Sequence, residues 1–479
     1  MIEGGRVVSF DPDDAPHATP EIDLDGRPVL PAFADCHVHL ADTGFMLGER
    51  NLCGVRSYDQ FAAAVASLSD EPYVFAGNYD ESSWNDGATA SAAPLERFFA
   101  DSLAMLTRVD GHSCVVNQKT LRWLALPAQT VGIERDADGR ATGKLLRDAN
   151  WKAQSSFFGA LPERVRRDAE RAATQLALSR GAVHLHAQLY GFSNDAYAAE
   201  VRALRELDGP KWYPKICEPD PKLAKNLGLP FVGGDVFLDG SIGSCTAALT
   251  EPFEASLSGE QRSAGHLNYT DEEVFHYFKE AEELGVSAGV HAIGDRAVEQ
   301  CIAAWERVLN GHPTKNRHFI EHFEIAHQDQ IERCARLGLY LSMQPQFDLL
   351  WGGEGGMYEQ RLGRKRMRSM NALGRAERAG AVLCGGDDSP VCDLSPLLGM
   401  HAAVHHHELR ERLTPAQALT MYTHNAAKLG HAEDATGRLA LGMAADFVIL
   451  DRDPIEDGDF AAATVLQTWR DGKLVYEKT

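Results

Sequence analysis

The sequence lacks the features that mark several large classes of protein. No stretch approaches the roughly 20 apolar residues that a membrane-spanning helix needs. The region from Met1 to Asp25 carries several acids and no apolar run of signal-peptide length, so no secretory signal is expected. The nine cysteines are dispersed and form no CxxC pair, which argues against a disulfide framework or a zinc knuckle. These absences predict a cytoplasmic protein with reduced thiols.

Positive charge is also scarce. The 479 residues include 47 Lys and Arg against 69 Asp and Glu, which gives a formal net charge of −22. Nucleic acids and anionic lipid surfaces attract basic proteins, so neither is an expected partner. Because 44% of the residues are apolar, the chain can bury a large core, and extended disorder is excluded. We expect a folded protein that acts on a small molecule; whether it forms a homodimer stays open.

Short apolar runs alternate with amphipathic segments along much of the chain. Strands are predicted at 182–185, 232–238, 287–293, 318–323, 339–343 and 381–384, and helices at 163–179, 271–284, 296–309, 328–336 and 370–379. Glycine separates several of these helices from the next strand, at Gly181, Gly285, Gly338 and Gly380, where it can close a helix in the left-handed conformation. The repeated unit predicts a parallel sheet with crossover helices and favours a (β/α)8 barrel over an open sheet.

Other parts of the chain follow a different pattern. Residues 6–29 and 437–476 carry strand and turn signals, so a small β-structure could be built from both termini. Residues 51–180 are too many for a simple loop and have apolar periodicity of their own. We therefore expect an insertion with its own secondary structure.

Histidines and acids at the ends of predicted strands carry the strongest chemical signal. His37 and His39 are two residues apart on one strand, so they share a face and could hold one divalent metal. His291 and His322 each end a later apolar strand, and Asp388 follows another. In a parallel barrel these strand ends converge on one face, where active sites lie. Imidazole and carboxylate suit Zn²⁺, with iron or manganese also open, so we expect one or two divalent metal ions, with zinc favoured, that activate a water.

Two alternatives remain open for the metal site. Asp387 stands beside Asp388, and either carboxylate could touch a metal and accept a proton from its water. His184 and His186 form a second HxH pair on another predicted strand. Three interpretations of that pair stay open: a rival metal site, a pair of polar side chains packed inside the barrel, or a contact with substrate.

Eight segments resemble the amidohydrolase superfamily, and more narrowly its YtcJ-like branch, which includes the N-substituted formamide deformylases. They occur in the family's order and span nearly the whole chain: LPAFADCHVHL (30–40), DGHSCVVNQKTL (110–121), LDGSIGSCTAALTEPF (238–253), VHAIGDRAV (290–298), IEHFE (320–324), LSMQP (341–345), GGDDSPV (385–391) and GRLALGMAADFVILD (437–451). The resemblance implies an α/β fold, a distorted (β/α)8 TIM-type barrel with a small β-sandwich domain built from both termini and an α+β insertion. The sandwich would comprise residues 1–30 and 425–479, and the barrel residues 31–424, with the insertion at about 51–180.

The resemblance further implies hydrolysis of an amide or other C–N bond by a metal-activated water. It matches His37, His39, His291 and His322 to the family's metal ligands. Asp388 matches the metal-bound general base, while His291 or His322 would stand near the oxyanion. Deamination, isomerisation and decarboxylation at the same site stay open, because a fold does not fix a reaction.

Two departures from the family pattern affect the expected site. Asp235 stands where most relatives have a Lys that, when carboxylated, bridges two metals. Bridging by Asp235, a bridge from elsewhere such as Glu218, and a single-metal site are therefore all open, as is a degenerate non-catalytic metal-binding protein. Cys245 replaces a family Arg, and we expect a small buried thiol rather than a nucleophile there.

The expected substrate contacts come from several segments. They are His112, His186, Gln344 and Cys245. The identity of the substrate is not specified by the sequence.

Overall fold

The structure is a computed structural model, and it describes residues 1–14, 16, 20–190, 193–254 and 263–479. The chain begins with β1 (Ile2–Glu3), β2 (Arg6–Val7), β3 (Val29–Pro31), β4 (Phe33–Val38) and α1 (Leu40–Phe45). β1 and β2 form an antiparallel hairpin, whereas β3 and β4 join two different sheets. Every residue of β4 is buried, as expected for a strand inside a parallel sheet.

The segment after α1 forms a unit with its own sheet and core. Its elements are α2 (Tyr58–Ala66), β5 (Tyr73–Tyr79), α3 (Ala93–Phe98), β6 (Leu103–Arg108), β7 (Ser113–Val116), α4 (Gln118–Leu124), β8 (Ile133–Arg135), β9 (Ala141–Leu146) and α5 (Arg147–Gly159). The strands are ordered β5-β6-β7-β9-β8, and the β5–β6 pair is parallel while the others are antiparallel. Phe61, Tyr79 and Trp84 pack together in its core.

Strands and helices then alternate as predicted. In chain order they are α6 (Glu163–Ser179), β10 (Ala182–Leu189), α7 (Asn194–Glu206), β11 (Lys211–Trp212), β12 (Lys215–Ile216), α8 (Pro221–Asn226), β13 (Phe231–Phe237), α9 (Asp271–Leu284), β14 (Ser287–Ala292), α10 (Asp295–Leu309), β15 (Phe319–His322), α11 (Gln328–Leu337), β16 (Tyr340–Met343), α12 (Gln346–Trp351), α13 (Met357–Leu362), α14 (Arg364–Met367), α15 (Leu373–Arg378), β17 (Val382–Gly385), α16 (Pro396–Val404), α17 (Pro415–Met421) and α18 (His424–Leu429).

Two parallel sheets carry the site. One contains β10 with β4, β11 and β12, and the other runs β13-β14-β15-β16-β17. β12 lies beside β13. β4 lies beside the segment after β17, where Asp388 N donates to His37 O at 2.8 Å and His39 N donates to Ser389 O at 3.0 Å. This mixed α/β arrangement fits a TIM-type fold.

Glycine closes the crossover helices where the sequence predicts it. Gly181, Gly285, Gly338 and Gly380 have φ of +82°, +67°, +72° and +83°, in the left-handed region that a residue with a Cβ rarely adopts. The helix predicted at 370–379 is shorter, because Asn371 has a φ of +48° and α15 starts only at Leu373.

The two ends of the chain meet in an antiparallel sheet. It contains β18 (Phe447–Leu450), β19 (Val465–Arg470) and β20 (Lys473–Glu477) in the order β20-β19-β18-β3. The pairing of Val448 with Leu30 joins the C-terminal segment to the N-terminal one. The described residues do not show the β-sandwich domain that the sequence predicts from the two ends of the chain.

Short 3₁₀ helices complete the described chain, at Pro12–Asp14, Gly48–Arg50, Glu81–Ser83, Leu409–Glu411 and Phe460–Ala462. Within the described ranges, no helix is both long and apolar enough to cross a membrane.

Candidate metal centre

The six predicted ligands come together at the carboxyl ends of five parallel strands. His37 lies in β4 and His39 directly follows it; the others lie in or just after β13, β14, β15 and β17: Asp235, His291, His322 and Asp388. Because parallel strands all end on the same side of a sheet, residues far apart in sequence become neighbours there.

Asp235 is the centre of this cluster. Its Oδ2 lies 3.3 Å from His37 Nε2 and 3.4 Å from His39 Nε2. Its Oδ1 lies 3.6 Å from His322 Nε2 and 3.9 Å from His291 Nδ1. The residue that replaces the family's Lys is therefore within 4 Å of all four histidines.

The donor set fits a divalent cation. His37, His39 and Asp388 form one group, and His37, Asp235 and His322 form another, with the ligand atoms of each group within 4.8 Å of one another. His37 Nε2, Asp235 Oδ1 and His291 Nδ1 are buried and have no hydrogen-bond partner. A buried polar atom without a partner is costly. A cation bound between these atoms would satisfy them, and imidazole with carboxylate suits zinc.

The remaining nitrogens of two histidines are held by oxygens that can only accept. His291 Nε2 donates to Gly240 O at 3.1 Å, and His322 Nδ1 donates to Gln344 Oε1 at 2.9 Å. Their other nitrogens therefore keep free lone pairs directed at Asp235, as a metal ligand requires. Gln344 does not line the cavity described below; its contact with His322 fits an orienting role, and its predicted contact with substrate stays a prediction.

Charge in the cluster favours the binding of a cation. Burial disfavours the charged form of His37, but Asp235, Glu321 and Asp388 outweigh it and raise the pKa of His37 well above its usual value. Burial likewise opposes ionisation of Asp388, yet His37 and His39 lower the pKa of that carboxyl. The acids thus hold positive charge on His37, and a metal ion would take the place of that proton.

The structure distinguishes the two neighbouring acids. Asp388 Oδ1 lies 2.9 Å from His39 Nε2 and 3.3 Å from His37 Nε2. The carboxylate of Asp387 instead accepts hydrogen bonds from Ser395 N at 2.7 Å and Gln346 Nε2 at 3.0 Å. Asp388 faces the cluster, and Asp387 anchors the loop that presents it.

Two other candidates lie outside the cluster. Glu218, the alternative bridge, is exposed and belongs to neither group. His186 stacks on Tyr213, with ring centroids 4.6 Å apart, and does not line the cavity. His186 lies inside β10, and the residues of that strand that reach the cavity are Gln188 and Leu189, so its predicted contact with substrate stays a prediction.

His184, the partner of His186 in the second HxH pair, makes structural contacts. Its Nε2 lies 3.1 Å from Asp446 Oδ2 and 3.0 Å from Thr436 Oγ1. Its Nδ1 lies 3.2 Å from Tyr213 Oη. Neither His184 nor His186 belongs to a candidate metal group among the described residues.

A cavity of about 230 Å³ opens on the cluster. Its apolar wall includes Trp151, Phe237, Phe347 and Trp351, and Trp151 stacks on Phe237 at 4.5 Å. His112 lines the same wall, with its ring 5.3 Å from that of Trp151. Burial lowers the pKa of His112, so the imidazole is neutral, and its position agrees with a substrate contact.

Cys245 does not line the cavity, although Gly243 close by does. Burial raises the pKa of the Cys245 thiol, which argues against a thiolate nucleophile. The predicted contact between Cys245 and substrate is therefore not supported by its position.

Several functional neighbours were not expected from the sequence. Tyr190 Oη donates to Asp235 Oδ2 at 2.7 Å, and its ring stacks on His39 at 5.7 Å. Glu324 lines the cavity and accepts a hydrogen bond from Tyr358 Oη at 2.6 Å, and burial raises the pKa of Glu324 to about 7. Both Tyr190 and Glu324 come one or two residues after a strand end, which is the signal that could have identified them.

A buried centre of four histidines and two aspartates on a TIM-type α/β fold defines the class of the protein as a metal-dependent hydrolase. The comparison with known families agrees with this class. A model described as the amidohydrolase family matches residues 20–476, and the chain belongs to that family. The predicted resemblance is thereby confirmed.

Individual relatives cover almost all of the chain. It is 28% identical to the amidohydrolase YtcJ of Bacillus subtilis, over 96% of this chain and 91% of that protein. It is 25% identical to the N-substituted formamide deformylase of Arthrobacter pascens, over 100% of this chain and 95% of that protein. Among solved structures, an uncharacterized metal-dependent hydrolase from Pyrococcus furiosus is 27% identical, with a TM-score of 0.68 over 91% of this chain and 89% of that one.

Proposed function

We propose that the protein hydrolyses an amide or other C–N bond of a small molecule, with Asp388 as the general base. The observation that carries the proposal is the convergence of the predicted ligands: five of them form the two candidate groups, and His291 Nδ1 lies 3.9 Å from Asp235 Oδ1. Within the described residues, His37, Asp235 and His291 each present a buried atom without a hydrogen-bond partner. When bound, one or two divalent ions, which we propose are Zn²⁺, polarise the attacking water and the scissile carbonyl. Asp235 belongs to one candidate group and lies 3.3 and 3.4 Å from His37 and His39 of the other, so it would be the residue that helps to hold either ion.

The side chains have separable roles in this proposal. Asp388 lines the cavity and is ionised, so it can accept the proton of the attacking water. The same carboxyl then returns the proton to the leaving nitrogen. His291 and His322 line the cavity beside Asp388 and would hold the cation that stabilises negative charge on the former carbonyl oxygen, because the outer nitrogen of each ring already donates to Gly240 O or Gln344.

The cavity wall supports a substrate with an apolar or aromatic portion. Trp151, Phe237, Phe347 and Trp351 offer rings to such a group, and His112 offers a neutral imidazole. The relative named N-substituted formamide deformylase supports an N-substituted amide as the bond that is cut.

We also propose a wider architecture for the chain. The two parallel sheets close into a single (β/α)8 barrel through β4–β17 and β12–β13. Residues 31–424 form this barrel with an insertion at about 51–180, and residues 1–30 and 425–479 form a β-sandwich domain. The proposed location is the cytoplasm, where the nine cysteines stay reduced, and the proposed partner is a small-molecule substrate, with neither nucleic acid nor membrane.

The reaction is tested by product analysis. Zinc-loaded protein is incubated with a panel of N-substituted amides, ureas and aminopyrimidines, with an Asp388→Asn variant as control. We expect the amine and the carboxylic acid to appear in equal amounts from at least one amide. Ammonia alone would indicate a deaminase, carbon dioxide a decarboxylase, and an isomeric product an isomerase.

A further inference from the structure

A buried ion pair lies directly behind the metal centre. Lys215 and Glu321 are both fully buried, and Lys215 Nζ lies 2.7 Å from Glu321 Oε1. Lys215 also donates to Cys36 O at 2.9 Å, and its ammonium lies 4.3 Å from the centre of the Phe319 ring. A fully buried lysine is rare. Replacing a buried ion pair with apolar residues is often neutral for stability, so stability alone does not explain the pair.

The two oxygens of Glu321 have different neighbours. Oε1 contacts Lys215, while Oε2 lies 3.0 Å from His37 Nδ1. The other nitrogen of His37, Nε2, lies 3.3 Å from both Asp235 and Asp388. The ammonium of Lys215 therefore contacts the carboxylate of Glu321, which contacts the imidazole of His37, which faces the metal centre.

The Gln188 amide contacts both partners: its Nε2 donates to Glu321 Oε1 at 3.4 Å and lies 3.1 Å from His37 Nδ1, so it can compete with Glu321 for that nitrogen. If the Gln188 amide donated there, Nδ1 would carry a lone pair and Nε2 would carry the proton. That N–H would point at Asp235 and Asp388 and could not bind a metal. If Nδ1–H instead donates a hydrogen bond to Glu321 Oε2, the lone pair of Nε2 is free for a metal ion.

We propose that Glu321, held and charge-balanced by Lys215, is a positioning residue that fixes His37 in its Nδ1–H form and so tightens metal binding. The inference rests on the proposed metal centre. It adds a third oriented imidazole to His291 and His322, whose outer nitrogens donate to Gly240 O and Gln344. The partner of His37 is a carboxylate, Glu321, and a carboxylate makes an imidazole a stronger metal ligand than a neutral acceptor does.

The test compares two buried ion pairs. The site variant, Lys215→Met/Glu321→Leu, removes the pair behind His37 without leaving an unpaired charge. The control, Arg375→Met/Glu411→Leu, removes another pair, in which Glu411 is fully buried and accepts from Arg375 Nε at 2.5 Å; neither residue lines the cavity. The affinity of each apo-protein for Zn²⁺ is measured by competition with a chromophoric chelator, and apo-protein stability by urea unfolding.

We expect the site variant to bind Zn²⁺ about 10–100-fold more weakly than wild type, since that is the usual loss when the partner of a ligating histidine is removed. The control should bind as wild type does. Equal affinity of site variant and wild type would overturn the positioning role and leave the proposed function standing. Failure of the wild type to bind Zn²⁺ at all would overturn both.

Two further variants keep the inference testable if the double variant does not fold. Glu321→Asp keeps the charge but shortens the side chain, so it cannot reach Lys215 and His37 together, and we expect weaker Zn²⁺ binding. Gln188→Leu removes the competing amide, and we expect Zn²⁺ affinity at least equal to that of wild type. A loss of affinity in Gln188→Leu with none in Glu321→Asp would assign the positioning role to Gln188 instead.

Discussion

Two HxH pairs lie on neighbouring parallel strands, and the structure gives them different surroundings. His37 and His39 stand at the end of β4, while His184 and His186 stand inside the adjacent strand β10. In the pairing of these strands, His184 is opposite Ala34 and Ala187 is opposite Val38. The second pair therefore lies further from the carboxyl ends of the strands. On β10, Gln188 reaches the cavity at that end, and neither histidine does.

The neighbours of the two pairs have opposite effects on charge. Three acids raise the pKa of His37 despite its burial. Burial, with Lys215 as the next cause, lowers the pKa of His186 well below its usual value. His184 has its polar atoms matched by Asp446, Thr436 and Tyr213. An HxH pattern thus becomes a candidate metal site only where other strand ends supply acids and further histidines.

Removal of one histidine from each pair should give the largest difference. We expect His37→Ala to weaken Zn²⁺ binding by more than about 100-fold, beyond the loss for a mere supporting residue, and to abolish hydrolysis. His186→Phe keeps the stacking on Tyr213 and should bind Zn²⁺ as wild type does. Metal analysis after dialysis checks both; zinc retained by His37→Ala but lost by His186→Phe would reverse the comparison.

Substitution of the two neighbouring aspartates should distinguish a catalytic role from a structural one. We expect Asp388→Asn to lower kcat by about 10²–10⁴-fold, the usual contribution of a general base. Asp387→Asn is the neighbouring control: Asp387 accepts hydrogen bonds from Ser395 and Gln346 instead of facing the cluster, so we expect a smaller loss of kcat there. Steady-state kinetics on the substrate from the product screen measures both. A larger kcat loss in Asp387→Asn would move the general base to that residue.

Two tyrosines allow a finer comparison. Tyr190→Phe removes the hydrogen bond to Asp235, and we expect Zn²⁺ affinity to fall by about 10-fold. Tyr213→Phe removes the phenol beside His184 and should leave Zn²⁺ affinity unchanged. Competition with a chelator measures the Zn²⁺ affinity of both variants. Equal affinities would show that the hydrogen bond from Tyr190 to Asp235 does not contribute to Zn²⁺ binding.

The smallest expected effect concerns stability and pH at His184. Burial opposes ionisation of Asp446, but His184 and other donors lower the pKa of this carboxyl. We expect His184→Leu to lose about 1–3 kcal/mol at pH 7, the penalty for an unsatisfied buried group. A carboxyl with a depressed folded pKa stabilises the protein above its unfolded pKa. The gap between wild type and His184→Leu should therefore narrow as pH falls below about 4.

Urea unfolding between pH 3 and pH 7 measures this gap, and zinc analysis of the same variant is the control. A gap that widened at low pH would contradict the assigned role of Asp446. Loss of zinc in His184→Leu would show that the two histidine pairs are coupled.

The local pattern of apolar residues and glycines predicted most of the strands and crossover helices of the two parallel sheets. The predicted helices at 163–179 and 271–284 match α6 and α9 residue for residue, because an apolar stripe and a closing glycine specify both. The region 437–476, which carries strand signals, forms no strand before Phe447; Gly442 N donates to Val7 O and Val7 N donates to Met443 O, so this part joins β2 through single contacts instead. Such long-range pairing leaves little trace in local sequence.

The site was predictable where chemistry coincides with strand ends. His37, His39, His291, His322 and Asp388 follow that rule. Lys215 could not be recognised, because it lies on a two-residue strand and reads as an ordinary exposed lysine until tertiary packing buries it against Glu321. Gln344 and His186 were assigned to the substrate because sequence does not show which way a side chain turns or how deep it lies.

Anomalous diffraction at the zinc absorption edge tests the central claim most directly. Crystals of zinc-loaded protein are expected to show density bounded by His37, His39, His291, His322, Asp235 and Asp388, and none between His184 and His186. Zinc bound by His184 and His186, or no zinc among the six residues, would contradict the account.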